Sequence, residues 1–280
     1  MRNSESEADW SVAALVPLFY KENPAFLKGC LESLSCQTRL PDEIVIVTEG
    51  VLPPLLSQTL HTWRQAHGEL TVKIVDSGEV KGLPGCLNVG LKATNCRYIA
   101  RFDSDDTSIP ERLACQLTFL KEHPDVRLLG GQLTEFESDL RTVVADRNVP
   151  LSHPEIVAFS KWRNPFNHQT VMFDRAFVAD SGAYPLLPAN EDYVLWCTLL
   201  SRGGQTANLP EVLSHARAGS GLYQRRRGMK YLKGDIRSLM AIRQTGWLSR
   251  GQLLAGILLR VATRMMPAHL VKRVYLMLRK

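Results

Sequence analysis

Asp103-Ser104-Asp105-Asp106 packs three carboxylates into four positions, directly after Arg97-Tyr98-Ile99-Ala100-Arg101-Phe102. The β-branched and aromatic content of that preceding run reads as the end of a buried strand. Carboxylates leaving the C-terminal end of a strand in an open α/β sheet face the crevice where such sheets bind ligands. Ionised side by side they repel, and a cation between them relieves the repulsion. Hard oxygen ligands suit Mg2+ or Mn2+ and, through the metal, a diphosphate. A solvated acidic turn capping a helix near Pro110 accounts for the same residues without any ligand.

A second acidic pair, Glu191-Asp192, follows Asn190 and opens the run Tyr193-Val194-Leu195-Trp196. The positive end of a helix stabilises a carboxylate there by roughly 0.3–1 kcal/mol, and plain capping explains the composition equally. Set beside a metal site, the pair has the chemistry of a general base. Glu49 ends another apolar run, where it can accept a hydrogen bond from a nucleobase N–H. Gly82, Gly85 and Gly90 let a ligand approach the backbone, with Asn88 on an otherwise apolar helix face. Asn164, Asn167, His168 and Gln169 gather just before a further strand. Neither a P-loop nor a dinucleotide fingerprint occurs, and Gly219-Ser220-Gly221 lacks the surrounding pattern of a nucleophile elbow.

Positioning these groups takes alternating strands and helices. Strands are expected at 12–16 (ended by Pro17), 44–47, 70–75 and 97–102. Helices are expected from Pro24 to about Gln37, at 55–66 and at 84–92. That alternation predicts an α/β fold with a Rossmann-like, mostly parallel sheet built through right-handed crossovers. Beyond it come a helix from Pro110 to Glu122, a long strand at 126–136, loop with a short helix over 138–165, a strand at 170–173 and a helix at 192–201. From about Gly219 the pattern turns to basic helices separated near Gly246 and Pro267. Two units are expected, a catalytic body at 1–218 and a tail at 219–280.

With 280 residues, 45% of them apolar, the chain can bury a substantial core. Its six cysteines form no Cys-x-x-Cys, which favours reduced thiols in the cytosol. The polar first ten residues carry no secretory signal pattern. The net charge of +6 conceals an asymmetry: residues 217–280 hold fifteen Lys/Arg against the single acid Asp235. An acidic body with a basic tail separates catalysis from anchoring.

In order, Pro17, Tyr20, Asn23-Pro24, Pro41-Asp42-Glu43-Ile44-Val45, Leu87-Asn88-Val89-Gly90-Leu91 and Ala100-Arg101-Phe102-Asp103-Ser104-Asp105-Asp106 make a recognisable series. Asn164-Pro165-Phe166-Asn167-His168-Gln169-Thr170, Glu191-Asp192-Tyr193-Val194-Leu195-Trp196 and Arg225-Arg226-Arg227-Gly228 continue it. Over most of residues 12–230 the chain resembles a family 2 glycosyltransferase of the GT-A fold. More narrowly, it resembles bacterial capsular and exopolysaccharide transferases of the amylovoran type. The resemblance implies inverting sugar transfer from a nucleotide-diphosphate donor, a UDP-hexose, with Mn2+ or Mg2+. It makes Asp105 the metal ligand, with Asp103 near the metal or ribose, and Asp192 the general base. Glu49 stands where the family usually has Asp on the base, Pro17 and Tyr20 flank the uracil, and Asn88 lies on the donor side. His168, Trp196 and Arg217 fall where donor or acceptor groups are expected. Leu87 departs from relatives that carry Arg there.

The apolar run Leu253-Leu254-Ala255-Gly256-Ile257-Leu258-Leu259 is far shorter than the ~20 residues of a membrane span. Basic residues 250, 260, 264, 272, 273 and 279 interleave with apolar ones at helical spacing, favouring helices lying on an anionic membrane surface. Aromatic stacking residues are sparse there (Tyr223, Tyr231, Trp247, Tyr275), which argues against nucleic acid. Helices docked on the body with a solvated basic face are the simpler alternative. The expected acceptor is a polyprenyl-diphosphate-linked saccharide at the cytoplasmic leaflet. A catalytically silent nucleotide-sugar-binding subunit is the competing class, against which Asp105 and Asp192 together argue. A nucleotidyltransferase would need a Gly-rich, Arg/Lys-bearing signature near the N-terminus, which is absent.

Overall fold

Both faces of β1 (Val12–Phe19) are buried, so helices must cover the sheet on each side. In the computed structural model, which describes residues 10–78, 82–218 and 228–265, they do. Lys81, Gly219-Ser220-Gly221, Tyr223, Arg225-Arg226-Arg227, Pro267, Lys272, Arg273, Tyr275 and Arg279 lie outside the described residues.

β1 pairs in parallel with β2 (Glu43–Glu49) and β4 (Tyr98–Arg101), and β3 (Val72–Asp76) adds to β2. Alternating β1 residues enter different layers. Val12, Ala14 and Val16 pack with Leu27, Leu31 and Leu34 of α1 (Pro24–Ser35) and with Leu56, Leu60 and Trp63 of α2 (Pro54–Ala66). Ala13 and Leu15 pack with Cys86, Leu87 and Leu91 of α3 (Leu83–Lys92). Asn23 caps α1 by accepting from the Ala25 N–H at 2.9 Å, ahead of Pro24 at the first helical position.

Pro17 does not end β1, contrary to the sequence expectation. The strand runs on to Phe19 beside β2, whereas its ladder with β4 stops at Leu15↔Arg101. A proline lacks only the N–H that a strand on the β4 side would have used. Because β4 stops early, a cleft opens along β1 from Pro17 onward.

The sheet continues from β4 through β8 (Met172–Asp174), β6 (Val126–Phe136) and β9 (Gln205–Arg217) to β5 (Thr107–Ser108), with β7 (Val143–Arg147) beside β6. The long ladders are parallel, including β6 with β9. Antiparallel pairing is confined to β5, β7 and β8. Helices α4 (Arg112–Glu122), α5 (His153–Ser160), α6 (Arg175–Asp180) and α7 (Glu191–Ser201) complete the body. β7 and β9 were not expected. In β9 the register jumps from Gly130↔Asn208 to Gln132↔Val212, so residues 209–211 bulge around Pro210 and break the alternation a strand would show in sequence. Gly130 is required at that crossing, since a Cβ there would lie 2.2 Å from Asn208 Oδ1.

The tail forms α8 (Met229–Gln244) and α9 (Arg250–Met265), separated at Gly246, whose φ is +82°. Leu239, Ile242 and Leu248 pack against Tyr193, Val194 and Cys197 of α7. The described tail is thus docked on the body, on the helix that begins with Glu191-Asp192. No described helix is long and apolar enough to cross a membrane.

Candidate active site

The cleft beside β1 widens into a cavity of about 350 Å3 at the C-terminal ends of β1, β2 and β4. Pro17, Phe19 and Glu22 form one wall, Glu49 and Leu83 another, and Asp103, Ser104 and Asp105 the floor. Phe19, not Tyr20, is the aromatic in the wall. Tyr20, in the turn just after β1, lies against Phe19 with ring centroids 4.4 Å apart. Glu49 accepts from the Gly82 N–H at 3.0 Å, tying β2 to the start of α3.

The carboxylate oxygens of Asp103, Asp105 and Asp106 lie within 4.8 Å of one another. Glu22, which sequence reading passed over, accepts from Ser104 Oγ at 2.8 Å and adds a fourth carboxylate. Burial, then repulsion from Asp103 and Glu22, pushes Asp105 up to about 7. Burial and the neighbouring aspartates raise Asp106 well above the carboxylate range. Asp106 points away from open space: it accepts from the Arg217 N–H at 2.9 Å and faces Gln169 Nε2 at 3.5 Å. Hard oxygen donors this crowded fit a divalent cation, with Asp103 and Asp105 on the cavity side and Asp106 as a rear support.

Two buried arginines brace the cluster. Arg112 is fully buried over the Phe102 ring and donates from Nη2 to the Arg101 carbonyl at 2.7 Å and from Nη1 to Ser108 Oγ at 3.0 Å. Arg101, also missed as a site residue, forms an ion pair with Asp103, while its Nε and Nη1 are buried without a partner among the described residues. Arg217 was expected to contact donor or acceptor. Its side chain instead donates to the Asp105 carbonyl and to the Ser138 carbonyl at 3.1 Å and covers the Phe26 ring at 4.2 Å. It brackets the acidic loop from outside.

Asp192 begins the second half of the site. Its Oδ2 accepts from Asn164 Nδ2 at 2.6 Å and its Oδ1 from the Tyr193 N–H at 2.8 Å, with His168 Nδ1 at 4.0 Å. Burial, with Arg101 and Arg147 nearby, holds His168 well below the usual imidazole range, so the His168–Asp192 approach is not an ion pair. His168 Nε2 lies 3.0 Å from Tyr184 Oη. Burial and then Asp192 raise Glu191 to about 7. Glu191 also feels Arg101 and Asp103, so the two acidic groups share one electrostatic neighbourhood.

Two expected contacts have other occupations. Asn88 spends its amide on the backbone of Tyr184, donating to the carbonyl at 2.8 Å and accepting from the N–H at 2.9 Å. It therefore meets the site only through the tyrosine that orients His168. Trp196 is fully buried among Phe166, His168, Phe173 and Tyr184, as the wall behind the imidazole.

The pH dependence has a definite sign. Asp105 and Glu191 are raised above their unfolded values, so their stabilising contribution is present below about pH 4 and lost as pH rises through about 7. Metal-free protein should melt higher near pH 5 than near pH 8, measured by differential scanning fluorimetry. Mn2+ should raise the midpoint more at the higher pH; an equal shift at both would contradict a cation bound to the acidic cluster.

A family model for glycosyl transferase family 2 matches residues 15–181. The chain is 37% identical over 266 residues to the amylovoran biosynthesis glycosyltransferase AmsE of Erwinia amylovora, covering 94% of this chain and 97% of that one. It is 30% identical over 255 residues to the UDP-Gal:alpha-D-GlcNAc-diphosphoundecaprenol beta-1,3-galactosyltransferase of Escherichia coli, covering 91% of each. Among solved structures, S. aureus TarS 1-349 in complex with UDP-GlcNAc matches with a TM-score of 0.62 at 19% identity, over 82% of this chain and 66% of that one. At that identity the likeness is one of fold, the GT-A fold.

Proposed function

Since this chain belongs to glycosyl transferase family 2 and is a glycosyltransferase, we propose that it transfers a hexosyl group, with inversion, from a UDP-sugar to a lipid-linked saccharide. The observation that carries this reading is the pairing of a crowded acidic cluster with a second carboxylate fixed on both oxygens, the two reached from adjacent residues: His168 lies 4.0 Å from Asp192 and Gln169 3.5 Å from Asp106. The named substrates of the Escherichia coli relative, UDP-Gal and a GlcNAc-diphosphoundecaprenol, support the donor and acceptor classes. Surface polysaccharide assembly is the corresponding process, in line with the name of the Erwinia amylovora relative.

In this reading the nucleobase lies between Pro17 and Phe19 on one side and Glu49 on the other, and the diphosphate lies over Asp103 and Asp105. A divalent cation held by those two aspartates would supply Lewis-acid stabilisation of the charge that develops on the departing diphosphate. An acceptor hydroxyl is a poor nucleophile at neutral pH, and Asp192 removes its proton as the new bond forms. Asn164 and the Tyr193 N–H fix the direction in which that carboxylate points. Neutral His168, backed by Tyr184 and Trp196, closes the wall beside it without competing for the proton.

The tail serves attachment. Along α9, Leu254 and Leu258, one turn apart, are each 61% exposed and make an outward apolar stripe, with exposed Arg250 one turn before them. No acidic residue other than Asp235 lies in residues 217–280. Such a face binds the headgroup region of an anionic leaflet, which would bring the cavity to a polyprenyl-linked acceptor on the cytoplasmic side.

Asp192→Asn should lower transfer by ~10²–10⁴-fold while isothermal titration with UDP-galactose or UDP-glucose gives unchanged affinity. Equal loss of donor affinity would refute the base assignment. Leu254→Ser/Leu258→Ser should release the protein from phosphatidylglycerol-containing vesicles in co-sedimentation at low salt. Undiminished sedimentation of that variant would refute the lipid-facing role of α9.

A further inference from the structure

The tail's only acid is not on its surface. Asp235 is 3% exposed, in the middle of α8, in a segment otherwise carrying only basic charge. Its Oδ2 accepts from Arg264 Nε of α9 at 2.8 Å, and its Oδ1 accepts from Asn190 Nδ2 at 2.9 Å. One turn along α8, Ser238 Oγ donates to the Ala189 carbonyl at 2.9 Å. Two side chains of the tail thus grip two consecutive residues of the loop that launches α7. That loop delivers Glu191 and Asp192.

Asn190 is under conformational constraint as well as gripped. Its φ of +55° places it in the left-handed region, which Asn tolerates better than most residues but which still disfavours an L side chain. Its side chain does not cap α7; it is directed to Asp235 instead. Its carbonyl accepts from the Val194 N–H at 3.1 Å, so Asn190 sets the phase of the first turn. Asp192 lies within that turn, and the angle at which its carboxylate leaves the helix follows from it. Leu239 and Ile242 pack against Tyr193 and Val194 immediately below, which fixes α8 as the platform for the grip.

We infer that the tail is part of the catalytic apparatus: Asp235 is a positioning residue that, through Asn190 and with Ser238, sets the first turn of α7 and so the direction of Asp192. This rests on the proposed role of Asp192 as base, but the arrangement of the turn can be tested without it. Asp235 is buried with a partner on each oxygen, Arg264 and Asn190, so removing either one leaves a buried polar group uncompensated. Arg264 neutralises Asp235 from α9, the helix with the outward apolar stripe, so a continuous set of contacts runs from that stripe to the base.

The test uses the whole 280-residue chain, four single variants and the Asn190→Gly/Asp235→Ala double variant. Asn190→Gly keeps access to positive φ but removes the contact with Asp235. Asp235→Asn keeps shape and hydrogen bonding while removing charge, Asp235→Ala removes both, and Ser238→Ala removes the second grip. Hydrogen exchange of the Tyr193 and Val194 amides is read by mass spectrometry or NMR. It should quicken about tenfold in Asn190→Gly and Asp235→Ala, converting about 1.4 kcal/mol per tenfold, with the rest of α7 unchanged. UDP release from UDP-galactose or UDP-glucose, with a short-chain lipid GlcNAc-diphosphate as acceptor, should fall about tenfold in kcat while UDP affinity holds. The effects of Asn190→Gly and Asp235→Ala should not add in the double variant. Asp235→Asn should recover part of what Asp235→Ala loses. Unchanged exchange at Tyr193 and Val194 overturns the inference whatever the donor. So does exchange that rises equally throughout α7 and α8, which would mean general loosening. Altered exchange with unchanged kcat overturns the positioning role of Asp235, while the base assignment stands or falls with Asp192→Asn.

Discussion

Asp103, Asp105 and Asp106 bring their carboxylate oxygens within 4.8 Å of one another just past β4, and Glu22 faces them across the cavity. Left alone, that arrangement would spread apart or take up protons, as the rise of Asp105 to about 7 records. Three arginines keep it in place. Arg101 pairs with Asp103 from the strand side, Arg112 holds the carbonyl of Arg101 from beneath, and Arg217 bonds Asp106 and the Asp105 carbonyl from β9. Arg112 remains charged at neutral pH although burial lowers its pKa to about 9. The sheet topology serves this clamp: β9 must return beside β5 and β6 for Arg217 to reach the loop.

The parallel half of the fold was legible in sequence because each of its strands is a short apolar run bounded by turn residues, and each crossover helix carries apolar residues at helical spacing. β9 was not, because Pro210 and the bulge at residues 209–211 break its pattern, and only pairing with β6 makes it a strand. The site divides along the same line. The acidic loop, Glu49 and Asp192 stand out locally as candidates, since neighbouring residues announce their chemistry. Asn88, Trp196 and Arg217 could not be placed, because their partners are remote in sequence. Asn88 serves Tyr184, Trp196 backs His168, and Arg217 serves a loop on the far side of the chain. Arg101 and Glu22 carried no spacing signal; only the folded arrangement puts them beside the aspartates.

α7 is where body and tail meet. Its first turn carries Asp192, and the residues just after it pack on α8. The charge division of the sequence, an acidic body and a basic tail, therefore does not correspond to two independent structures. The same helix that would accept a proton from the acceptor hydroxyl is seated on the segment whose outer face is apolar and basic. Coupling of that kind suits an enzyme whose acceptor is tethered to a surface, because attachment and orientation of the base become one mechanical problem.

The central claim is geometric: one sugar ring lies between the cation-holding aspartates and Asp192. A crystal structure of the full-length chain with Mn2+ and a non-hydrolysable UDP-hexose measures it directly. The account predicts Mn2+ on Asp105 and Asp103, diphosphate oxygens on the metal, and the Asp192 carboxylate on the opposite face of the anomeric carbon with room for one hydroxyl between. A carboxylate of Asp192 on the same face as the diphosphate, or separated from the sugar by protein, would contradict it.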